Sequence, residues 1–275
     1  MNMEEMIDKY FRPGRLPHIW CPGCGNGVIT GCIVKAVAKL DLQKADVAVI
    51  SGIGCSSRAS GYLDFNTVHS AHGRALPVAT GVKLADPKLN VIVVTGDGDA
   101  TAIGGNHLIH AARRNIDMTV VLYNNNIYGM TGGQYSPLTP VDSKASTAPY
   151  GTIERNFDIT ELAKAAGATF VARATCFHKQ VLVDAIAKGI ANDGFSLVEA
   201  ITQCPISYGR QNKRGNAPQM MQWQKEHAVP VAAAAKMTPE QLEGKFTIGV
   251  LHESKAPEYT REYDKVIAKA QKGGK

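Results

Sequence analysis

No apolar run in this chain of 275 residues comes near the ~18 residues that a bilayer crossing requires; the longest are of the size of Val91-Ile92-Val93-Val94. The amino terminus, Met1-Asn2-Met3-Glu4-Glu5, is acidic and has neither the basic start nor the apolar stretch of a secretory signal. A large excess of one charge is also missing. Thirty Lys and Arg against 24 Asp and Glu leave a formal +6, too diffuse for a nucleic-acid partner, with no clustered basic stripe until residues 208–214. Six cysteines do not make a disulfide framework in a chain of this length, because a core this large needs no cross-links and the cytosol keeps thiols reduced. A soluble cytoplasmic protein with no membrane partner is the expectation, and metal or redox chemistry is the first reading of its cysteines. G-x-S-x-G, H-E-x-x-H and Walker A patterns do not occur, and Gly96-Asp97-Gly98 has Thr101 where a dinucleotide fingerprint places its third glycine. Internal repeats and low-complexity tracts are absent as well.

What is present is an ordinary globular composition, 44% hydrophobic and 20% charged. Short apolar runs at Val47–Ile50, Val91–Thr95, Thr119–Tyr123, Thr169–Thr175 and Ser196–Ile201 read as buried strands. Segments with helical spacing lie between them: Val28–Leu40, Ile103–Arg113, Ile159–Ala166 and Lys179–Ala191. The alternation predicts an α/β fold with a mostly parallel sheet and helices on both faces, whose ligands belong at the carboxyl ends of the strands. Every notable motif falls there: Gly52-Ile53-Gly54-Cys55, Gly96-Asp97-Gly98-Asp99, Asn124-Asn125-Asn126 and Cys204. After Cys204 the chain turns polar and is punctuated by Pro and Gly. The expected division is a core domain at 1–204 and a partner-contacting extension at 205–275, with Lys265, Lys269, Lys272 and Lys275 on a solvated helix face.

Gly96-Asp97-Gly98 and Asn124-Asn125 follow successive strands, so both ends of this 30-residue segment can face one pocket. A carboxylate and an amide carbonyl suit a hard divalent cation whose remaining positions are filled by diphosphate oxygens, and glycines beside the carboxylate let the backbone approach phosphate. The pattern resembles the thiamine diphosphate enzymes, whose signature begins Gly-Asp-Gly and closes on Asn-Asn. The resemblance implies that Asp97, the Asn125 side chain and the Ile127 carbonyl bind Mg2+. Gly98, Asp99, Gly129 and Met130 would then lie against the diphosphate.

Cys21-Pro22-Gly23-Cys24 alone is compatible with a zinc half-site, a redox dithiol or a cluster half-site. Two further ligands are available in loops, Cys55 after the first strand and Cys204 after the last, whereas Cys32 and Cys176 read as small buried hydrophobes. The four loop cysteines with the diphosphate motif resemble the β subunits of 2-oxoacid:ferredoxin oxidoreductases. The likeness runs through Cys21-Pro22-Gly23-Cys24-Gly25, Gly52-Ile53-Gly54-Cys55, His72-Gly73-Arg74-Ala75-Leu76, Gly96-Asp97-Gly98-Asp99, Tyr128-Gly129-Met130-Thr131-Gly132-Gly133-Gln134 and Cys204-Pro205. It implies the diphosphate-binding half of a thiamine-diphosphate fold and a [4Fe–4S] cluster on Cys21, Cys24, Cys55 and Cys204. Ile53, Gly54, Cys55 and Ser56 would border the cofactor and His72 would contact it.

The implied reaction is oxidative decarboxylation of a 2-oxo acid with coenzyme A, delivering electrons to ferredoxin. An α subunit must supply the pyrimidine-binding domain that this chain has no length for, and small additional subunits are compatible with the family. Gly132 stands where broad-specificity members carry a lysine, and the loop with Ser136-Pro137 looks closest to the 2-oxoglutarate group, ahead of pyruvate, branched-chain or aromatic substrates. Arg58, His69 and Arg74 are the candidate cations for a second substrate carboxylate. The loop Tyr208–Arg214 is a candidate for steering ferredoxin or docking the partner subunit. Two other classes compete: a non-redox thiamine-dependent decarboxylase or carboligase, and a zinc or electron-transfer subunit without thiamine.

Overall fold

The computed structural model describes residues 3–273; Met1 and Asn2 of the acidic amino terminus and Lys275 of the tail lie outside the described residues. Helices α1 (Met3–Tyr10) and α2 (Asn26–Lys39) precede β1 (Val47–Ser51), the short α3 (Ala59–Tyr62), β2 (Asn66–His69) and α4 (Ala75–Ala85). Then come β3 (Asn90–Gly96), α5 (Gly105–Arg113), β4 (Met118–Asn124), α6 (Ile159–Ala165), β5 (Phe170–Thr175), α7 (Lys179–Ala191) and β6 (Phe195–Ile201). The remainder forms α8 (Ala217–His227), β7 (Ala228–Pro230), α9 (Val231–Ala234), α10 (Pro239–Leu242), β8 (Phe246–Glu253) and α11 (Tyr259–Gln271).

All eight strands join in the order β2-β1-β3-β4-β6-β5-β8-β7. Every pairing is parallel except β5 with β8, so the expected mostly parallel α/β sheet is what forms. The central strands are continuously apolar because both their faces are covered: every residue of β1 and β4 is buried. Alternate side chains serve the two faces. Val47, Val49, Ile92, Val94, Val121 and Tyr123 pack under α1, α2 and α7, while Ala48, Ile50, Val93, Val120 and Leu122 pack under α4, α5 and α6. Leu122 is wholly buried, so truncation to Ala would cost about 2–5 kcal/mol.

The sequence runs located β1, β3, β4, β5 and β6 to within a residue or two. Segment 205–275 does more than extend the core, since β8 and β7 complete the sheet edge beside β5. Lys265, Lys269 and Lys272 are exposed at and beyond α11. No helix among the described residues is long and apolar enough to cross a membrane.

Candidate functional site

Four parallel strands, β1, β3, β4 and β6, end on one side of the sheet, and the turns that follow them meet there. Two adjoining cavities result. The first is lined by Ile53, Gly54, Cys55 and Ser56 after β1, Gly96 to Asp99 after β3, Asn125 and Ile127 to Thr131 after β4, and His72 from the loop before α4. Asp97 is buried in its wall. Its carboxylate accepts a hydrogen bond from Ser136 Oγ at 2.6 Å, and burial raises its pKa to about 7 against the lowering effect of that bond and of the nearby backbone N–H groups. The lining contains no Lys or Arg among the described residues, so Asp97 sits in a slot that calls for a cation. The Asn124–Ile127 turn is tied down by three bonds: Asn126 N to Asn124 Oδ1 at 3.1 Å, Ile127 N to Asn125 Oδ1 at 3.2 Å, and Thr139 Oγ1 to the Asn126 carbonyl at 2.7 Å. Asn124 is anchored in turn through its amide to buried Glu199 at 2.7 Å, and Glu199 pairs with Arg173 at 2.5 Å. One carboxylate, one amide and a fixed backbone turn fit a divalent cation that keeps phosphate ligands.

Asp99 behaves differently from its neighbour. Its buried carboxylate accepts from His72 Nδ1, from Gly73 N at 2.7 Å, from Thr95 Oγ1 at 2.7 Å and from Ile53 N at 3.4 Å. Three chain segments, at Ile53, at His72-Gly73 and at Thr95–Asp99, are thereby clamped around one side chain, and the backbone of Asp99 is what remains for a phosphate. His72, held at Nδ1, keeps Nε2 for the pocket. The tip of the Tyr128 ring lies against Gly98, where an added Cβ would stand 2.1 Å from Tyr128 Cζ, and its hydroxyl donates to the Gly98 carbonyl at 2.9 Å. Only glycine fits there.

The second cavity brings together Cys21, Cys24, Cys55 and Cys204, with Ile19, Trp20, Arg58, Asn125, Gly129, Met130, Pro205, Ile206 and Ser207. Its volume is about 250 Å3. Cys21 is exposed and the other three are half-buried. Burial, reinforced by Cys204, Cys55 and Cys21, pushes the Cys24 thiol up to about 12 despite the bond from the Asn26 backbone. Cys55 rises to about 11, again by burial first and by Cys204 and Cys21 next, with Arg58 acting the other way. Such thiols become ligands only when a metal centre displaces their protons. Among the described residues no three His, Cys, Asp or Glu side chains converge on a point that suits one metal ion. Four cysteine thiols from three loops on one cavity are a donor set that an iron–sulfur cluster can take. Cys32 and Cys176 are buried elsewhere in the core, as expected.

The candidate substrate cations are scattered. Arg58 lines the cysteine cavity, one turn of 3-10 helix beyond Cys55. Arg74 caps α4 and reaches the carbonyls of Gly73 and Ile103 at 3.4 and 3.5 Å, while His69 is exposed at the end of β2. Ser136, Tyr128 and the Glu199–Arg173 pair were not singled out from sequence. Ser136 and Tyr128 stood inside a quoted motif, whereas nothing in sequence links Glu199 to Asn124.

Comparison with known proteins adds the decisive observation. The model for the thiamine pyrophosphate enzyme C-terminal TPP binding domain matches residues 52–200. The 2-oxoglutarate synthase subunit KorB of Methanocaldococcus jannaschii is 50% identical over 261 residues, covering 95% of this chain and 97% of the relative. The chain belongs to the 2-oxoacid:ferredoxin oxidoreductase β-subunit family. Another member of the family, 2-oxoglutarate synthase subunit KorB of Methanothermobacter marburgensis, is 51% identical over 259 residues, 94% of this chain and 91% of that one. A solved member, the 2-oxoglutarate:ferredoxin oxidoreductase from Magnetococcus marinus with 2-oxoglutarate, coenzyme A and succinyl-CoA bound, superposes with a TM-score of 0.85 at 34% identity. It matches over 98% of this chain and 91% of its own. Family membership removes the non-redox decarboxylase and the thiamine-free subunit from consideration.

Proposed function

We propose that this chain is the β subunit of a cytoplasmic 2-oxoglutarate:ferredoxin oxidoreductase. The reaction converts 2-oxoglutarate and coenzyme A to succinyl-CoA and CO2, releasing one proton and two electrons, the electrons leaving singly to ferredoxin. The observation that carries it is the common wall of the two cavities: Cys55, Asn125, Gly129 and Met130 line both. Thiamine diphosphate, when bound, supplies a carbon nucleophile and an electron sink, and a [4Fe–4S] cluster supplies one-electron transfer.

Asp97, the Asn125 side chain and the Ile127 carbonyl would hold Mg2+, with Glu199 fixing the Asn124 turn behind them. Gly98, Asp99, Gly129 and Met130 would offer backbone to the diphosphate, and Ile53, Gly54, Cys55 and Ser56 would border the ring system. His72 would hold a proton at Nε2 or pass it on, its ring orientation set by Asp99. Cys21, Cys24, Cys55 and Cys204 would ligate the cluster. The apolar side chains of Ile53, Ile127 and Met130 would help exclude water from the reacting centre.

The first cavity encloses only about 70 Å3, well below the ~300 Å3 or more of a complete small-molecule pocket. That shortfall supports a partner α subunit whose pyrimidine-binding domain completes the site, and with no Lys or Arg among the described residues of the lining the same partner would supply the substrate's carboxylate anchor. The test is anaerobic co-production with the α subunit, followed by iron, sulfide and thiamine analysis and parallel assays with 2-oxoglutarate and pyruvate. Roughly four irons and one thiamine per β chain, with 2-oxoglutarate preferred, is the expected result. Preference for pyruvate would overturn the substrate, and zinc in place of iron would overturn the electron path.

A further inference from the structure

Arg58 reads from the sequence as a candidate cation for a second substrate carboxylate, yet it does not line the Asp97 cavity and lines the cysteine cavity instead. The local chain dictates that placement. Cys55 flanks a single turn of 3-10 helix, Ser56–Arg58, and in such a turn side chains three positions apart stand one above the other. Thiol and guanidinium therefore leave the backbone on the same side. The turn is pinned in place: Ser60 Oγ donates to the Ser57 carbonyl at 3.1 Å and shares a buried bond of 2.7 Å with Ser51 Oγ, while Trp20 Nε1 donates to the Cys55 carbonyl at 2.6 Å.

No protein anion answers this guanidinium. Residues 47–63 contain no Asp or Glu, and Arg58 makes no hydrogen bond or ion pair among the described residues. Apart from thiols, the other side chains lining the cavity are apolar or carry a neutral amide or hydroxyl, so Arg58 is its one permanent charge among the described residues. Its field reaches the sulfurs. The Cys55 thiol, pushed up by burial first and then by Cys204 and Cys21, is drawn back down by Arg58, with Asp97 acting upward from the neighbouring cavity. An unpaired cation beside four thiols suits an occupant that is negative.

We propose that Arg58 sets the reduction potential of the cluster held by the four cysteines, and takes no part in binding the substrate. The proposal rests on the reading that Cys21, Cys24, Cys55 and Cys204 hold a redox cluster. A [4Fe–4S] core with four thiolates is a dianion when oxidised and a trianion after accepting one electron, so a fixed cation stabilises the reduced form more than the oxidised one and raises the potential. The electron enters from the oxidation of 2-oxoglutarate and leaves to ferredoxin, with no bond or proton exchanged at Arg58. Without the cation the cluster would accept electrons from the thiamine side less readily and give them up more readily.

The test uses the assembled αβ enzyme with Arg58→Gln and Arg58→Lys. A redox titration followed by the EPR signal of the reduced cluster reads the potential, iron and sulfide analysis reads occupancy, and KM for 2-oxoglutarate reads substrate binding. Arg58→Gln should keep its iron and shift the reduction equilibrium about tenfold toward the oxidised cluster, about 59 mV for a one-electron couple, with KM unchanged. Arg58→Lys should keep its iron and stay close to the wild-type potential, because the charge acts and the shape of the guanidinium does not. An unshifted potential in Arg58→Gln would overturn the proposal. So would a raised KM for 2-oxoglutarate, which would return Arg58 to the substrate, or loss of iron from either variant, which would make it a structural prop. A wild-type complex that binds no iron would overturn the underlying cluster reading instead.

Discussion

The two cavities share a wall but are built on opposite plans. The Asp97 pocket would draw its metal ligands from the stretch between neighbouring strands that runs from Asp97 to Ile127, and the groups around it are clamped: Asp97 by Ser136, Asn124 by Glu199, and His72, Gly73 and Ile53 by Asp99. The cysteine cavity gathers residues 21, 24, 55 and 204 from three distant segments, and its thiols are half-buried or exposed, with burial raising the pKa of Cys24 and Cys55. A pocket for hard oxygen ligands can thus stand preorganised before anything binds, whereas a soft-ligand cage is completed by what it binds.

The largest test of that contrast is a pair of variants in the assembled enzyme. Cys55→Ala should empty the second cavity, taking iron from roughly four per chain to near none while thiamine is retained. Asp97→Asn should cost thiamine and Mg2+ affinity by more than about 100-fold, beyond the 10- to 100-fold that outer contacts carry, while iron stays. Loss of both cofactors in either variant would break the picture of separately built sites. A smaller effect is expected one contact further out. Glu199→Gln leaves Arg173 without its buried partner and loosens Asn124, so Mg2+ titrations of thiamine binding should move about tenfold, with iron content untouched.

The smallest effect belongs to Asp158, which caps α6 by accepting from Thr160 and Glu161 and also meets Arg173. Burial pushes its carboxyl upward, but the Thr160 hydroxyl and Arg173 outweigh burial and hold it below the ordinary range. A lowered folded pKa adds stability that is complete above the unfolded value and fades as pH falls through the folded one. Asp158→Ala should therefore cost about 1 kcal/mol in urea unfolding at pH 7, with a smaller difference at pH 3. Neither cofactor should notice.

How much of this was legible in the sequence follows the same divide. The covered strands announced themselves as unbroken apolar runs, because both faces of each need hydrophobic neighbours. β2 did not: Asn66-Thr67-Val68-His69 is an edge strand and mostly exposed. β8 was hidden by Gly249, at φ +114°, and by a register shift opposite Val171 and Ala172. In the site, Asp97 and Asn125, read as strand-end residues, and the four cysteines, read as loop residues, line two adjoining cavities, since motif residues at strand ends have little choice of location. Side-chain partners were out of reach. That Asp99 turns inward to His72, or that Arg58 sits with the cysteines, depends on which loops meet across the sheet. The Arg58 position had one local signal, its place three residues after Cys55.

Gly129 has a consequence of its own. A Cβ there would stand 3.5 Å from Cys55 Sγ and 3.7 Å from Cys204 Sγ, yet the residue also lines the Asp97 pocket. Gly129 shares the partition between the chambers with Cys55, Asn125 and Met130. On the proposed function, charge would cross this shared wall through a fixed medium, without hinge, lid or mobile carrier domain, and the pace of turnover would be left to events outside the partition: completion of the substrate pocket on one side and exchange of acceptor proteins on the other.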